Sequence, residues 1–304
     1  METSTVLVAG DTGLLGTEIC RQLRAKNFPV KVMVRSTSDP VKTEQLTKFG
    51  FQVIHGDLLN KENIYKALQG VATVVTTVSS MPFSYKPGEN DIQHVDENGM
   101  INLIDASKSA GVNHFIYTSI ASSFDLEFPL SNAKRKVEKY LQKSGLIYTI
   151  LRPCCFMEVW LSPAVGFDAM NGKVNVCGTG TNPLSYISLK DVAEFAIESI
   201  SNTFLKNVAI DLGGPQSISQ LDAVKIFEEA LQKKINVQHM PVDALKEQFN
   251  SSIDPVQKSI FGLMLCVAKG GRIDMQDVLS RFNIELTSVN DFVYSLAETE
   301  RLVF

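Results

Sequence analysis

The sequence predicts an α/β protein of the Rossmann type, in which a doubly wound parallel sheet carries a smaller C-terminal lobe. Short apolar segments alternate with segments of helical period through the first two-thirds of the 304 residues, and this alternation implies right-handed βαβ crossovers. The apolar run Val6-Leu7-Val8-Ala9 is typical of a strand buried on both faces. Beyond Pro153 the alternation weakens. We therefore expect the core over residues 1–155 and the lobe mainly over 156–304, with parts of 185–215 returning to the core.

Each predicted element rests on a local pattern. A glycine-rich turn follows the first strand, and Leu15, Ile19 and Leu23 then recur at helical spacing. Strands are predicted over 6–9, 30–34, 51–54, 73–78, 114–119 and 148–151, with shorter ones over 174–176 and 208–212. Helices are predicted over 15–24, 44–49, 64–68, 95–110, 131–144, 191–199 and 221–231.

Composition excludes several classes of protein. The formal net charge is −4 and no basic block is present, which argues against nucleic acid as a partner. The five cysteines and four histidines show no metal-ligand spacing, so no metal is expected and the cysteines are interpreted as buried thiols in a reducing compartment. No signal-peptide pattern precedes the first strand, and no apolar run approaches the ~20 residues of a membrane span. These features predict a cytoplasmic protein without a membrane span.

The turn after the first strand carries the strongest functional signal. Gly10, Gly13 and Gly16 are spaced as in a dinucleotide-binding turn that joins a strand to a helix. Gly10 permits the sharp turn, Gly13 lets the backbone approach a pyrophosphate, and Gly16 allows close packing of the helix. The helix N-terminus offers free N–H groups to the phosphates. The predicted contacts from this turn come from Gly10, Thr12, Gly13, Leu14, Leu15 and Gly16. The alternative is a structural turn that binds nothing.

The end of the second strand discriminates between the two nicotinamide cofactors. A carboxylate at this point would favour NAD(H), but the chain has Arg35 followed by Ser36. A guanidinium can hold a 2′-phosphate through two hydrogen bonds, and the hydroxyl of Ser36 can add a third. NADP(H) is therefore favoured over NAD(H). The alternative is that Arg35 is a solvated residue at a strand end.

Further candidate cofactor contacts lie where the other strands end, because strand ends line the ligand crevice of a doubly wound sheet. Asp57 could accept from the adenine amino group with Leu58 packing on the ring, although a helix N-cap is an alternative role for Asp57. The remaining strand-end candidates are Val78, Ser79, Thr118 and Ser119.

These residues, with several later motifs, resemble the NmrA-like group of atypical short-chain dehydrogenases/reductases. The later motifs are Tyr117-Thr118-Ser119, Lys134, Glu138-Lys139-Tyr140-Leu141, Ser144-Gly145-Leu146, Tyr148 to Pro153 and Ser188 to Ala193. The group includes NAD(P)H-dependent reductases of quinones, triphenylmethane dyes and isoflavonoid-type compounds, and cofactor-sensing regulators without catalysis. The resemblance spans residues 5 to 215 and is strongest in the cofactor half.

The resemblance implies a catalytic lysine without its usual partners. Members of the wider superfamily use a serine, a tyrosine and a lysine, the last two in a YxxxK arrangement. If Lys134 is that lysine, Leu130 occupies the tyrosine position and Ile120 the serine position. The register could instead favour Lys136, or Lys134 could lie on a solvated helix face. The candidate proton donors are Tyr85, Tyr117, Lys134 or bound water, so Lys134 and Tyr85 are the candidate catalytic residues.

Two segments predict the acceptor side of the site. The first is the loop from Met81 to Tyr85, and the second contains Phe156 and Trp160. Their aromatic and thioether side chains suggest a flat apolar acceptor, with ordinary packing of the lobe as the alternative. Pro153 is expected to place its carbonyl near the nicotinamide amide and Phe156 to lie beside the cofactor. The adjacent Cys154 and Cys155 are interpreted as packing residues.

The sequence therefore predicts an NADPH-dependent oxidoreductase that reduces a small, largely apolar or aromatic acceptor by direct hydride transfer. The alternative is a non-catalytic NADP(H)-sensing or assembly-factor protein of the NmrA-like type, which the missing serine and tyrosine favour. A nucleotide-sugar epimerase or dehydratase would normally need the tyrosine that Leu130 replaces. The expected state is a monomer or homodimer whose partner is a small molecule.

Overall fold

The computed structural model describes residues 4–35, 38, 40–81, 86–282 and 284–301. Two candidate site residues, Ser36 and Tyr85, lie outside the described residues. The chain forms two compact units. The first comprises residues 1–119, 129–152 and 192–210, and the second comprises residues 120–128, 153–191 and 211–304.

Within the described residues, a seven-stranded sheet forms the centre of the fold. Its strands are β1 (Val6–Ala9), β2 (Val30–Val34), β3 (Gln52–His55), β4 (Thr73–Thr76), β5 (His114–Thr118), β6 (Ile147–Pro153) and β12 (Val208–Leu212). Their order is β12-β6-β5-β4-β1-β2-β3. β1 pairs in parallel with β2 and β4, β2 with β3, β4 with β5, and β5 with β6. The predicted Rossmann-type parallel sheet is confirmed.

Helices of the first unit follow its strands, as the βαβ pattern requires. They are α1 (Leu14–Ala25), α2 (Pro40–Lys48), α3 (Lys61–Ala67), α4 (Met100–Ser109), α5 (Pro129–Lys143) and α7 (Leu189–Ser201), which enters the first unit at Val192. Val6 and Val8 in β1 are completely buried, as are Val74 and Val75 in β4. These strands are buried on both faces, which explains why they are continuous apolar runs rather than alternating ones.

One predicted helix differs in its geometry. The expected α-helix over 95–110 is a π-helix over Ile92–Gly99 followed by α4. Asp91 caps the π-helix, since its side chain accepts from the N–H of His94. The buried residues of this segment are Ile92, Asp96 and Gly99, so its inward face includes a carboxylate.

The second unit contains short strands that pair in small sheets. Its strands are β7 (Cys155–Phe156), β8 (Phe167–Asp168), β9 (Lys173–Cys177), β10 (Pro183–Leu184), β11 (Tyr186–Ile187), β13 (Ile218–Ser219) and β14 (Asn236–Met240). Its helices are α6 (Met157–Trp160), α8 (Gln220–Leu231), α9 (Val242–Ser251), α10 (Pro255–Lys269), α11 (Gln276–Leu279) and α12 (Val289–Arg301). Where the chain is described, none of its helices is long and apolar enough to cross a membrane.

Candidate cofactor site

The glycine turn joins β1 to α1 without any side-chain cap at the start of the helix. Gly13 is the N-cap residue, and its N–H donates to the carbonyl of Gly10 at 3.0 Å. Gly10 has φ of 91°, in the left-handed region that glycine adopts without strain. An α-helix leaves the N–H groups of its first turn without intrahelical acceptors. The turn therefore presents backbone donors and the positive end of the helix dipole to an anion.

Gly13 and Gly16 have different reasons to lack a side chain. A Cβ atom on Gly16 would lie 2.0 Å from the carbonyl oxygen of Gly10, so the fold itself requires this glycine. A Cβ atom on Gly13 would meet nothing closer than the Gly10 oxygen at 3.2 Å. This contact is tight but much less severe than the one at Gly16, and no second atom among the described residues is found within 4 Å of the Gly13 Cβ position, which fits a backbone that approaches a ligand. Of the other turn residues, Thr12 is half-buried, Leu14 exposed and Leu15 buried.

Asp11 is a residue of the same turn that the sequence reasoning passed over. Its side chain is 1% exposed, and its Oδ2 atom has no hydrogen-bond partner within the described part of the chain. Burial raises the pKa of Asp11 from 3.8 to about 7. Aspartate is common in exposed turns, and nothing in the sequence indicated that Asp11 is buried.

Arg35 lies at the end of β2 beside a cleft of the first unit. The cleft is lined by Arg35, Ser38, Pro40, Thr43, Glu44, Thr47 and His55. The half-buried guanidinium of Arg35 donates from Nη1 to the Oδ1 atom of Asn90 at 2.5 Å. The arginine is therefore held in place at the cleft rather than extended freely into solvent.

Asp57 and Leu58 follow the end of β3, and they differ in exposure to solvent. Asp57 is exposed and its carboxylate accepts from the N–H of Leu59 at 2.8 Å. The N-cap of α3 is Asn60, which accepts from the N–H of Asn63, so the helix-cap role considered for Asp57 is wrong. The side chain of Leu58 is buried and lies against Gly99. Contact between Leu58 and an adenine ring remains a prediction.

The ends of β4 and β5 are brought together by Lys134. Its Nζ atom donates to the carbonyl of Val78 at 3.2 Å and to that of Thr118 at 3.5 Å. Ser79 is half-buried beside Val78, and Ser119 is buried. The Oγ1 atom of Thr118 is buried and lacks a hydrogen-bond partner among the described residues. This orphaned hydroxyl and the uncapped start of α1 both fit a ligand with hydroxyl and phosphate groups, such as a dinucleotide.

The structure distinguishes Lys134 from Lys136. Lys134 is 4% exposed, which contradicts the idea that it lies on a solvated helix face. Its Nζ atom lies 5.3 Å from the centre of the Tyr117 ring. Lys136 is 60% exposed and pairs with Glu97 at 2.5 Å. Among these two lysines, only Lys134 contacts the ends of the parallel strands.

Asp96 is the counter-charge of Lys134, and the sequence reasoning missed it. Its Oδ1 atom lies 3.5 Å from Nζ of Lys134, and its side chain is completely buried. The other oxygen, Oδ2, accepts from the N–H of Ser80 at 3.0 Å and from its hydroxyl at 2.7 Å. Burial lowers the pKa of Lys134, and the Asp96 carboxylate opposes this effect. The pair thus stabilises the charged lysine and also holds the segment that follows β4.

The structure narrows the set of proton donors. Tyr117 is completely buried in the core of the first unit, and burial raises the pKa of its hydroxyl well above the ordinary value. A phenol in this position cannot reach an acceptor molecule. Leu130, at the position of the superfamily tyrosine, is buried and has no proton to give. Tyr85 lies outside the described residues.

Pro153 and Phe156 belong to the second unit. The carbonyl of Pro153 accepts from the N–H of Ala121 at 3.0 Å, so one of its two lone pairs is already engaged. Phe156 is half-buried in β7. All five cysteines are buried and free, as the packing interpretation predicts. Burial raises the pKa of the Cys155 thiol well above its ordinary value, which disfavours a reactive thiolate. The described residues contain no cluster of histidine, cysteine or acidic side chains that could hold a metal.

The chain is similar to several known proteins. A family model described as the NmrA-like family matches residues 2–292. The chain is 27% identical to the photosystem II assembly factor Ycf39 of Cyanophora paradoxa over 291 residues, which cover 93% of this chain and 88% of that protein. It is 27% identical to the NAD(P)H azoreductase of Xenophilus azovorans over 244 residues, which cover 80% of this chain and 79% of that protein.

A solved structure shows the same fold. The structure of triphenylmethane reductase from Citrobacter sp., complexed with NADP(H), matches with a TM-score of 0.77 and 21% identity. The match covers 96% of this chain and 99% of that one.

Proposed function

This chain belongs to the NmrA-like family, and we propose that it is an NADPH-dependent reductase of a small, largely apolar or aromatic acceptor. The observation that carries this proposal is the glycine turn. Gly16 is required by the fold, whereas a Cβ atom at Gly13, at the uncapped start of α1, would make a single tight contact, with the Gly10 oxygen at 3.2 Å. Such an N-terminus binds phosphate groups through backbone N–H donors and the helix dipole.

NADP(H) is the favoured form of the cofactor. Arg35 takes the position at which a carboxylate would select NAD(H), and its guanidinium borders a cleft with the hydroxyl-bearing residues Ser38, Thr43 and Thr47. These groups are suited to a phosphate. Two related proteins support this choice, since one is named an NAD(P)H azoreductase and the other was solved with NADP(H).

In the reaction, the bound cofactor supplies a hydride, and the residues of the chain hold the cofactor in position. Lys134 holds the carbonyl groups of Val78 and Thr118 at the ends of β4 and β5, where the nicotinamide ribose binds in this proposal. The orphaned hydroxyl of Thr118 is available to that ribose. With Leu130 at the tyrosine position, the proton that completes the reduction comes from solvent water. Holding the two reactants in a fixed orientation accelerates hydride transfer without a dedicated acid.

The acceptor class is proposed from the second unit. Phe156 on β7 and Trp160 on α6 are half-buried, so each retains aromatic surface for a ligand. Aromatic side chains line most small-molecule pockets and favour flat, apolar ligands. Azo compounds and triphenylmethane dyes, which the related proteins are named for, belong to this class.

A non-catalytic role is the second candidate. Two observations favour it: one relative is named an assembly factor, and Nζ of Lys134 already contacts Val78, Thr118 and Asp96. An ammonium has three N–H donors; two of them already donate to the carbonyl groups of Val78 and Thr118, and Asp96 supplies the counter-charge. In this role, the protein would bind NADP(H) and respond to it without turnover.

The deciding experiment measures binding and turnover separately. NADPH binding is followed by calorimetry, and NADPH oxidation is followed against quinones, azo compounds, triarylmethane dyes, enones and aldehydes. Turnover of any flat acceptor supports the reductase. Tight NADPH binding without turnover across the panel would favour the sensor, and absence of binding would contradict both.

Gly13→Ala tests the turn itself. The added methyl group should abolish cofactor binding, because it would fill the space that the phosphates need, while meeting only the Gly10 oxygen at 3.2 Å in the protein. That single contact is tight, so the melting temperature should fall slightly and the variant should remain folded. Gly16→Ala is the contrasting variant: its Cβ atom would lie 2.0 Å from the same oxygen, so it should destabilise the fold. Unchanged NADPH affinity in folded Gly13→Ala would refute the proposed site.

A further inference from the structure

The side chain of Arg35 has one hydrogen-bond partner among the described residues, and it comes from a distant part of the chain. Asn90 lies 55 residues away and accepts from Nη1 of Arg35 through its side-chain oxygen at 2.5 Å. The amide belongs to the segment after β4, whereas the arginine ends β2. A contact between such separate elements fixes the direction of a long side chain at the edge of the cleft.

Asn90 is itself held firmly. Its N–H donates to the carbonyl of Lys86 at 2.8 Å, and its carbonyl accepts from the N–H of Lys86 at 3.0 Å. The next residue, Asp91, caps the π-helix and also accepts from the N–H of Gly88 at 2.9 Å. The turn from Lys86 to Asp91 is therefore closed at both ends by hydrogen bonds, and it can support the arginine without much rearrangement.

The chemistry of this contact leaves the charge of Arg35 available. An asparagine is neutral, so it orients the guanidinium without neutralising it. No carboxylate among the described residues forms an ion pair with Arg35, and Glu44, which lines the same cleft, pairs with Lys48 at 2.7 Å. A guanidinium has five N–H donors. Donation from one nitrogen to Asn90 leaves the others for two-point recognition of a phosphate monoester.

We propose that Asn90 is a positioning residue that sets the preference for NADPH over NADH by holding the Arg35 guanidinium towards the cleft where the 2′-phosphate binds. The inference rests on the proposed cofactor, and it adds a determinant of specificity outside the glycine turn and outside β2. NADH has no 2′-phosphate, so its binding does not depend on where Arg35 points.

Two substitutions at Asn90 separate position from charge. Asn90→Ala frees the arginine, and immobilising it again on binding should weaken NADPH by about two- to tenfold. Asn90→Asp keeps the geometry but pairs the guanidinium with a carboxylate and adds a negative charge beside the phosphate. It should therefore weaken NADPH more than Asn90→Ala does. Both variants should leave the affinity for NADH unchanged.

The test measures the dissociation constants of NADPH and NADH by calorimetry for the parent, both variants and a matched control. The control is Glu89→Gln, which alters the neighbouring residue of the same turn and removes only the exposed pair with Lys86. It should leave both constants at the parent values. The ratio of the two constants is a readout that a purely structural role would not move.

Three results would overturn the inference. Equal losses for NADPH and NADH in Asn90→Ala would mean that the turn merely supports the fold. A parent preference for NADPH that survives in both variants would leave the proposed cofactor intact and remove Asn90 from its selection. A parent protein that binds neither cofactor, or both equally, would remove the proposed cofactor choice as well.

Discussion

Two cations of the first unit, Lys134 and Arg35, lie near the carboxyl ends of strands in the same sheet, yet their surroundings are opposite. Lys134 is buried on α5 and lies 3.5 Å from the completely buried carboxylate of Asp96. Arg35 is half-buried at an open cleft and is held by the neutral amide of Asn90. One charge is compensated inside the protein, and the other is oriented but left uncompensated.

This difference follows from the cost of removing a charge from water. A fully buried ammonium would lose several kcal/mol of hydration free energy, so it is retained only with a counter-charge and hydrogen bonds. A guanidinium at a solvated edge keeps much of its hydration and needs only orientation. The two cations therefore have different roles: Lys134 holds the ends of β4 and β5 by hydrogen bonds, and Arg35 is available to bind an anion.

The largest effect is expected from breaking the buried pair. Lys134→Met should lower the free energy of unfolding by about 3–5 kcal/mol, because it leaves the Asp96 carboxylate buried without a counter-charge. Urea denaturation measures this change. NADPH affinity should fall as well, because the carbonyl groups of Val78 and Thr118 lose their common donor.

The matched control lies two residues away. Lys136→Met removes an exposed pair with Glu97 and should cost less than about 1 kcal/mol. The double variant Lys134→Met with Asp96→Asn should recover much of the loss, since neither charge is then buried alone. Equal costs for Lys134→Met and Lys136→Met would contradict the distinction between a compensated buried cation and a surface one.

The sequence predicts the strands and the turn well because both depend on residues that are close together in the sequence. A strand buried on both faces needs an unbroken apolar run, which Val6–Ala9 supplies. The turn needs small residues at fixed spacing, and Gly10, Gly13 and Gly16 supply these. The family resemblance rested on this turn together with the later motifs up to residues 188–193.

The missed residues depend on contacts that leave no periodic signal. Asp96 is buried, although the sequence around it has the polar composition of an exposed helix. Asn90 reaches Arg35 across 55 residues. The short strands of the second unit, such as β7 and β13, have two residues each, which is too few for an alternating pattern.

Asp11 contrasts with Asp96, because it is a buried carboxyl group for which no cation partner is found among the described residues. Its pKa is raised to about 7 by burial, above the ordinary value of 3.8. The folded state therefore favours the neutral acid, and the stability from this preference is complete below pH 3.8 and is lost as the pH rises through about 7.

Asp11→Asn should remove this dependence. Relative to the parent, the variant should gain about 2–3 kcal/mol in free energy of unfolding between pH 5 and pH 8. Urea denaturation of both proteins at the two pH values measures the difference, and all other titrating groups cancel in the comparison. A difference that is constant with pH would mean that Asp11 ionises normally, and that burial without a counter-charge is not what distinguishes it from Asp96.

The smallest effect concerns Arg35, and salt distinguishes it from Lys134. Arg35→Gln should weaken the binding of NADPH by about tenfold, or 1.4 kcal/mol, and leave the binding of NADH unchanged, because a charge-assisted contact with the 2′-phosphate is lost.

Mobile ions screen a charge at a solvated cleft, since the Debye length is about 10 Å at 0.1 M salt and about 3 Å at 1 M. Raising NaCl should therefore shrink the ratio of NADH to NADPH dissociation constants in the parent and leave it unchanged in Arg35→Gln. The stability difference between the parent and Lys134→Met should not respond to the same salt, because the Asp96 pair is out of contact with water. Calorimetry and urea denaturation at low and high salt measure both quantities. A cofactor ratio that ignores salt, or a buried-pair contribution that falls with it, would show that the two cations are not held in opposite ways.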